Sequence, residues 1–279
     1  MKNWYMIIDI EKCEDCNNCF MACKDEHVDN DFPPYSAAQP LHDHRWMNIM
    51  RRERGSGSLM DVAYRPTPCM HCDDAPCIRA AENGAVYKRE DGIVIIDPVK
   101  STGQKNIQKA CPYNAVYWNE ERDIPQKCNF CAHLLDGGWE EPRCVQACPT
   151  GALSIVKADD AQIQKMVKEE NLEALHPEYN TFPRVFYRNL YRYNRAFIAG
   201  SVAYGADSGE ECAKNAVVSL VKNGRAVYEC KTDFFGDFKF DGLKENGQTY
   251  EVHILLATFP EKILTVDLKT SINLGAVTL

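Results

Sequence analysis

Residues 13–23 read CEDCNNCFMAC and place cysteines at 13, 16, 19 and 23, a C-x2-C-x2-C-x3-C run. A [4Fe–4S] cube has four iron corners, and each takes one thiolate. Three thiols on one tight loop can serve three corners, and the fourth must come from elsewhere. Two further groups follow. Cys69-x2-Cys72-x4-Cys77 precedes an isolated Cys111-Pro112, and Cys128-x2-Cys131-x12-Cys144-x3-Cys148 ends at Pro149.

In two-cluster ferredoxins the fourth cysteine of each run serves the other cluster. The same exchange completes Cys13, Cys16 and Cys19 with Cys148. It completes Cys128, Cys131 and Cys144 with Cys23, and Cys69, Cys72 and Cys77 with Cys111. Twelve of the 14 cysteines then form three clusters with none left over. A disulfide scaffold fits badly, because the chain is large and its cysteines sit two or three residues apart in runs. Structural zinc also uses C-x2-C pairs, but the run of four and the prolines after Cys111 and Cys148 fit cubane clusters better. His71 and His133 sit inside or beside these loops and are expected to pack there or to hydrogen-bond near a cluster sulfur. Cys212 and Cys230 are expected to be buried free thiols.

Outward from the cysteines, the 279 residues are 45% hydrophobic and 26% charged. That is ordinary globular composition, and it excludes a mainly disordered chain, a collagen or a coiled coil. No apolar run approaches the roughly 20 residues of a transmembrane segment. The opening MKNWYMIIDIEKC is too short in apolar residues for a secretory signal and has no twin-arginine pair. A cytoplasmic protein is expected, with peripheral membrane association or export together with a partner left open. With 40 acidic against 32 basic residues the net charge is −8, which disfavours nucleic acid as a partner. No nucleophile–base pair, phosphate-cradling glycine loop or open metal site stands out, so no catalytic residue is assigned.

Tyr5–Asp9 reads as a strand leading into the first cysteine loop. Ala85–Tyr87 and Ile93–Ile96 flank Asp91-Gly92 as a hairpin. Val116–Trp118 and Leu153–Val156 each follow a Cys-Pro loop, so strand, loop and Cys-Pro form an internal repeat. Residues 159–175 read as a helix capped by Asp159 or Asp160, with Ile163, Met166, Val167 and Leu172 as its apolar stripe. Residues 176–195 read as an irregular connector. Beyond Ala196 about seven short strands are expected. Asn223-Gly224 suits a type I′ hairpin, and Tyr250, Val252 and Ile254 alternate with polar residues as in a half-buried strand. The fold class is α+β: an iron–sulfur domain over 1–158, helix and connector over 159–195, and an antiparallel β-sandwich over 196–279.

The stretches CEDCNNCFMACKDEH, PCMHCDDAPC, DGIVIIDPVKSTGQKNIQKACPYNAV, KCNFCAHLL and PRCVQACPTGAL resemble the iron–sulfur subunits of molybdopterin oxidoreductases of the dimethyl-sulfoxide-reductase type. The resemblance implies a duplicated bacterial ferredoxin-like domain. It also implies a large catalytic partner subunit carrying molybdenum with bis-pterin guanine dinucleotide, in a heterodimer or a multiple of it. Members usually hold four clusters. Here the positions expected for the fourth carry Ser101, Gln104, Ile107 and Ala81, a complete ligand set, while Cys111 remains because it serves a different cluster. The loss of the cluster nearest the membrane anchor points away from the usual quinone-linked role. Similarity to the family's small subunits for polyhydroxylated aromatics (the pyrogallol, phloroglucinol and resorcinol class) extends through HRWMNI, RRERG, VYWNEE and FFGDFKFD. The C-terminal sandwich resembles prealbumin-like, Ig-like modules.

Those resemblances imply an electron-transfer or redox-tuning subunit of a hydroxylase or transhydroxylase. The alternatives are a subunit of a respiratory molybdenum reductase or of a catechol dehydroxylase, and a free-standing polyferredoxin. Lys24, Arg79 and Lys127 are candidates to offset cluster charge. The segment Arg45–Arg54, which mixes Trp46 with four arginines, is a candidate subunit interface.

Overall fold

The apolar run Tyr5–Ile8 becomes the centre of a sheet. The computed structural model describes residues 2–206, 209–257 and 259–279. In it, strand Asn3–Asp9 pairs antiparallel with Leu153–Ala158, Ile8 lying opposite Leu153 and Asn3 opposite Ala158. On its other side it pairs parallel with Val185–Arg188, Met6 opposite Val185. Glu173–Ala174 completes the four strands. A strand hydrogen-bonded on both edges and covered on both faces needs a continuous apolar run, and Tyr5, Met6, Ile7 and Ile8 are all buried.

The parallel strand corrects the reading of 176–195 as irregular. Val185 and Tyr187 are buried at 0% exposure and alternate with half-buried neighbours. Four residues preceded by Pro183 were too few to show a period. The helix expected over 159–175 is shorter and runs Asp160–Glu169. Asp159 caps it: its side chain accepts from the Gln162 N–H at 2.9 Å, and the Gln162 side chain accepts from the Asp159 N–H at 3.0 Å. The helix stops because Asn171 turns left-handed (φ 50), and the Leu172 N–H reaches back to the Val167 carbonyl at 3.0 Å. Ile163 packs on Tyr5 and Ala158.

The Asp91-Gly92 hairpin joins Val86–Lys88 to Val94–Ile96, with Gly92 at φ 86. A third small hairpin pairs Tyr117–Asn119 with Ile124–Gln126. Five further helices, Asn18–His27, Pro76–Ala80, Lys105–Lys109, Ala132–Asp136 and Arg143–Gln146, lie in the cysteine-rich part of the chain. The result is α+β and rich in strands.

Two compact units emerge. The first runs to Met50 and resumes over Tyr64–Leu190; the second holds Arg51–Ala63 and Tyr191–Leu279. The boundary therefore differs from a cut at 158 and 196, and the tip of the hairpin formed by Asn48–Ser56 and Leu59–Thr67 is counted with the C-terminal strands.

In the second unit, strand Ala196–Ala206 pairs with Gly209–Cys212, Asp237–Leu243 and Ile272–Thr278. A second sheet runs Arg225–Lys231, Val217–Lys222, Gln248–Leu255, Lys262–Leu268. Ile198, Val202, Phe238 and Phe240 from the first meet Val218, Leu220, Val252 and Ile254 from the second in one core. The pairing is not wholly antiparallel: Ile272–Thr278 runs parallel to Ala196–Ala206. Asn223 and Gly224, at φ 51 and 72, make the expected hairpin turn. Cys212 is exposed and Cys230 half-buried, contrary to the expectation that both are buried, because each lies on a strand at the edge of its sheet.

Arg54 is also not an interface residue of the kind expected. Its side chain is fully buried and bridges Asp61 and Asp241, the latter at 2.9 Å. Asp61 also meets Arg192 at 2.7 Å and Lys239 at 3.4 Å. Burial pushes the Asp61 carboxyl up, but the hydrogen bonds from Arg54 and Arg192 outweigh it and hold the group at about 2 instead of 3.8. A depressed carboxylate contributes stability that is complete above its unfolded value and is lost as pH falls through the folded value. Hydrogen-exchange protection of strand Ala196–Ala206 should therefore fall between pH 3.8 and about 2. Asp61→Asn should remove about 3–5 kcal/mol at neutral pH by leaving buried Arg54 undercompensated. Unchanged protection in the variant would contradict that assignment.

Candidate metal centres

The first cysteine loop is shaped by its own polar residues. Asp15 and Asn17 take left-handed backbone (φ 54 and 61), and the Asn17 side-chain amide donates to the Asp15 carbonyl at 2.8 Å. Helix Asn18–His27 starts at once, so Cys19 and Cys23 lie one turn apart on one face. The antiparallel pairing of Asn3–Asp9 with Leu153–Ala158 brings the Cys148-Pro149 loop back to the Cys13 loop. Cys13 is raised by burial and then by Cys148 and Cys16. Cys19 is pushed up to about 12 by burial, with Cys13, Cys148 and Cys16 adding to it. These four thiols are one neighbourhood. Cys16 is exposed, Cys13 and Cys148 are half-buried, and Cys19 is buried.

Cys23 points into a different one. A cavity in the first unit is lined by Cys23, Cys128, Cys131 and Cys144, together with His27, Trp46, Met47, Asn129, Phe130 and Pro142. Phe130 and Cys131 are left-handed (φ 53 and 49), which turns the Cys128 loop around the cavity. Burial lifts Cys23 and Cys144 well above the usual thiol value, Cys131 to about 12 and Cys128 to about 11, with neighbouring thiols reinforcing each shift.

The third neighbourhood holds Cys69, Cys72, Cys77 and Cys111. Burial raises Cys72 to about 12 and Cys77 to about 11, and it raises Cys111; Cys69 reinforces each. Helices Pro76–Ala80 and Lys105–Lys109 pack together, and the Asn106 side-chain amide donates to the Ala80 carbonyl at 2.5 Å. Backbone N–H groups already reach sulfur here: His71 to Cys69 Sγ and Ala115 to Cys111 Sγ, each at 3.4 Å. The cavity group neighbours both others, since Cys144 feels Cys19 and Cys128 feels Cys69.

Among the described residues, no group of three or more His, Cys, Asp or Glu is disposed to hold a single metal ion. Cys23, Cys128, Cys131 and Cys144 share one cavity, and thiol proximity also crosses between groups, at Cys128 with Cys69 and at Cys144 with Cys19.

Ser101, Gln104 and Ile107 stand before Cys111 at the spacing that Cys13, Cys16 and Cys19 have before Cys23. Ser101 and Ile107 are fully buried, and Ser101 Oγ has no hydrogen-bond partner. Gln104 donates to the Lys100 carbonyl at 2.7 Å and accepts from the Glu82 N–H at 2.9 Å, closing the loop against the Ala81 segment.

Of the charge-offsetting candidates, Lys24 and Lys127 are buried. Lys24 Nζ donates to the Pro40 carbonyl at 2.7 Å, and Lys127 Nζ donates to the Val94 and Cys128 carbonyls. Arg79 is a solvated surface residue paired with Asp74. His133 bonds Glu26 at 2.9 Å and stacks on Phe32 at 3.7 Å, so it packs. His71 Nδ1 accepts from the Val94 N–H at 3.0 Å. Trp46 (2% exposed) lines the cavity and is no interface residue. Sequence reasoning missed His27, although it lies one helical turn beyond Cys23, a spacing that could have revealed it. For Trp46 no spacing gave a signal.

A model of the 4Fe–4S dicluster domain matches residues 60–158, the stretch that holds the last eight of the twelve clustered cysteines. That stretch is therefore a ferredoxin-type iron–sulfur domain. The pyrogallol hydroxytransferase small subunit of Pelobacter acidigallici is 45% identical, with 100% of each chain covered. A putative dimethyl sulfoxide reductase iron–sulfur subunit of Halobacterium salinarum is 31% identical, covering 68% of this chain and 80% of its own. The thiosulfate reductase electron transfer subunit of Salmonella typhi is 33% identical, covering 61% and 83%. The chain belongs to the family of iron–sulfur subunits of dimethyl-sulfoxide-reductase-type molybdopterin oxidoreductases, as an electron-transfer subunit and not a catalytic one. Among the described residues, no helix is long and apolar enough to cross a membrane.

The burial order has a direct consequence for thiol chemistry, since the thiolate is the reactive form. Alkylation of the iron-free chain at mildly alkaline pH should label Cys16 and Cys212 first, and Cys23 and Cys144 last, as read by peptide mass spectrometry. Labelling of Cys144 as fast as Cys16 would contradict the geometry.

Proposed function

We propose that the twelve cysteines hold three [4Fe–4S] clusters in the exchanged pairing, and that the chain is the small subunit of a molybdenum-pterin enzyme that hydroxylates or transhydroxylates polyhydroxylated aromatics. The observation that carries the first part is the cavity in which Cys23 of the first run faces Cys128, Cys131 and Cys144 of the last. Four buried thiols crowded around one space form a set that a metal group can take as thiolates, since metal binding displaces the protons. A cluster bound there supplies one-electron redox chemistry.

The chain's own part is to hold such groups in sequence, exclude water and tune them. The Cys13 group reaches the surface at Cys16, which suits the end that faces a partner. At the other end, Ile107, Ser101 and the Gln104 clamp occupy the place of a fourth set, which supports three groups and a closed terminus. A cytoplasmic setting, where thiols stay reduced, suits free Cys212. For the second unit we propose a prealbumin-like bracing module.

The substrate class rests on the Pelobacter relative, whose likeness runs the whole length. The respiratory relatives, among them thiosulfate, tetrathionate and arsenate reductase subunits, match 61–66% of this chain. They support a second reading, an electron-transfer subunit of a respiratory reductase.

Purification of the native complex, with metal analysis and identification of the copurifying chain, tests the proposal. A large molybdenum-bearing subunit and about twelve irons per copy of this chain are expected. An iron-free complex, or this chain isolated without a large subunit, would overturn it. In the complex, Cys148→Ala should remove or convert the cluster of the Cys13 loop and spare that of Cys128, whereas pairing within runs predicts the reverse. The combined variant Ala81→Cys, Ser101→Cys, Gln104→Cys and Ile107→Cys should raise iron toward about sixteen per chain.

A further inference from the structure

The cavity lined by Cys23, Cys128, Cys131 and Cys144 has a wall of nitrogen donors that its ligand set does not require. Trp46 is 2% exposed, and its indole N–H has no partner in the protein. An indole nitrogen can only donate, and buried donors left unpaired call for a missing acceptor. Against Trp46, with ring centroids 4.7 Å apart, lies His27. His27 is 1% exposed, its Nε2 lies 3.9 Å from Cys131 Sγ, and its Nδ1 is unpartnered. Both rings line the cavity. A third donor, the Gln39 amide, lies 3.9 Å from Cys23 Sγ.

The backbone holds these groups in place. His27 follows Cys23 by one helical turn. Trp46 is pinned from the next hairpin, where the Tyr117 hydroxyl donates to the Arg45 carbonyl at 2.7 Å and the His44 ring bonds the Trp118 carbonyl at 3.0 Å. Backbone N–H donors reach sulfur at Cys69 and Cys111 and also at the cavity's own Cys128 and Cys131, so the two rings add to them.

We propose that Trp46 and His27 form a side-chain hydrogen-bond donor pair that sets the reduction potential of the iron–sulfur group in this cavity, holding it above the value that burial alone would give. The proposal rests on the reading of the cavity as a cluster site. Reduction adds one electron to an already negative group; burial opposes that charge, and N–H donors to sulfur stabilise it. Trp46 and His27 act through sulfur and are positioning residues.

The test is an EPR-monitored redox titration of the holo-complex carrying Trp46→Phe, His27→Phe or His27→Gln. Trp46→Phe keeps the ring and removes the N–H. With iron content unchanged, one of three midpoints should fall so that its reduction constant drops about tenfold, which is about 59 mV for one electron. His27→Phe should lower the same midpoint, and His27→Gln, which keeps an N–H, should restore it in part. Full iron with all three midpoints unmoved would overturn the proposal while leaving the cluster reading intact; an iron-free wild type would overturn the reading itself. If a variant loses iron, pulsed EPR of the wild type labelled with 15N-indole tryptophan decides. A nitrogen coupling to one reduced cluster is expected, and its absence refutes the donor role of Trp46.

Discussion

The first unit depends on the pairing of Asn3–Asp9 with Leu153–Ala158. The two strands come from opposite ends of the cysteine-rich sequence, and their register leaves little freedom: a slip of one residue would turn Met6 and Ile8 to the opposite face. Each strand is joined directly to a cysteine loop, Cys13–Cys19 after the first and Cys148-Pro149 before the second. Once the register is set, Cys148 has to lie beside the Cys13 loop. The helix that holds Cys19 then carries Cys23 one turn further on, to the cavity that Cys128, Cys131 and Cys144 also line. The proposed ligand exchange would then follow from one antiparallel pair, with the parallel strand Val185–Arg188 burying its other edge.

The cost of that arrangement is visible in the thiols. Burial comes first among the causes that raise Cys19, Cys23, Cys72, Cys77, Cys131 and Cys144, and neighbouring sulfurs reinforce it. A chain without metal keeps protons on groups that a metal would take as thiolates, so folding and loading are coupled. The same burial that excludes water makes added negative charge unfavourable. N–H groups supplied by left-handed loop residues such as His71, and by Trp46, His27 and Gln39, answer that penalty locally. Buried Lys24 and Lys127 add positive charge near Cys23 and Cys128.

Much of this was legible in the sequence, because metal-ligand spacing and hairpin signals are local. The closely spaced cysteine runs, the Asp91-Gly92 and Asn223-Gly224 turns and the alternation at Tyr250, Val252 and Ile254 all rest on residues within a few positions of one another. What escaped was set by distant packing. Val185–Arg188 is a strand only because Asn3–Asp9 offers it an edge. Cys212 is exposed because Gly209–Cys212 lies at a sheet edge, which its own composition does not announce. Arg54, in an arginine-rich segment that looked like surface, is buried because Asp61 and Asp241 come to it. Trp46 looked like an interface anchor, and its partnerless N–H in a thiol-lined cavity could be seen only in three dimensions.

The loop before Cys111 shows what such a site requires when its thiols are missing. Ser101, Gln104 and Ile107 keep the spacing of the first run, and helix Lys105–Lys109 still follows, as Asn18–His27 follows Cys16. A metal group would have cross-linked this loop to the Ala81 segment. Gln104 now makes the link through Glu82, accepting from its N–H and donating to its carbonyl, and Ile107 fills space with apolar volume. The replacement is incomplete at one atom, Ser101 Oγ, buried without a partner. An unpaired hydroxyl costs about 1–3 kcal/mol, which a loop closed by Gln104 and packed around Ile107 can bear.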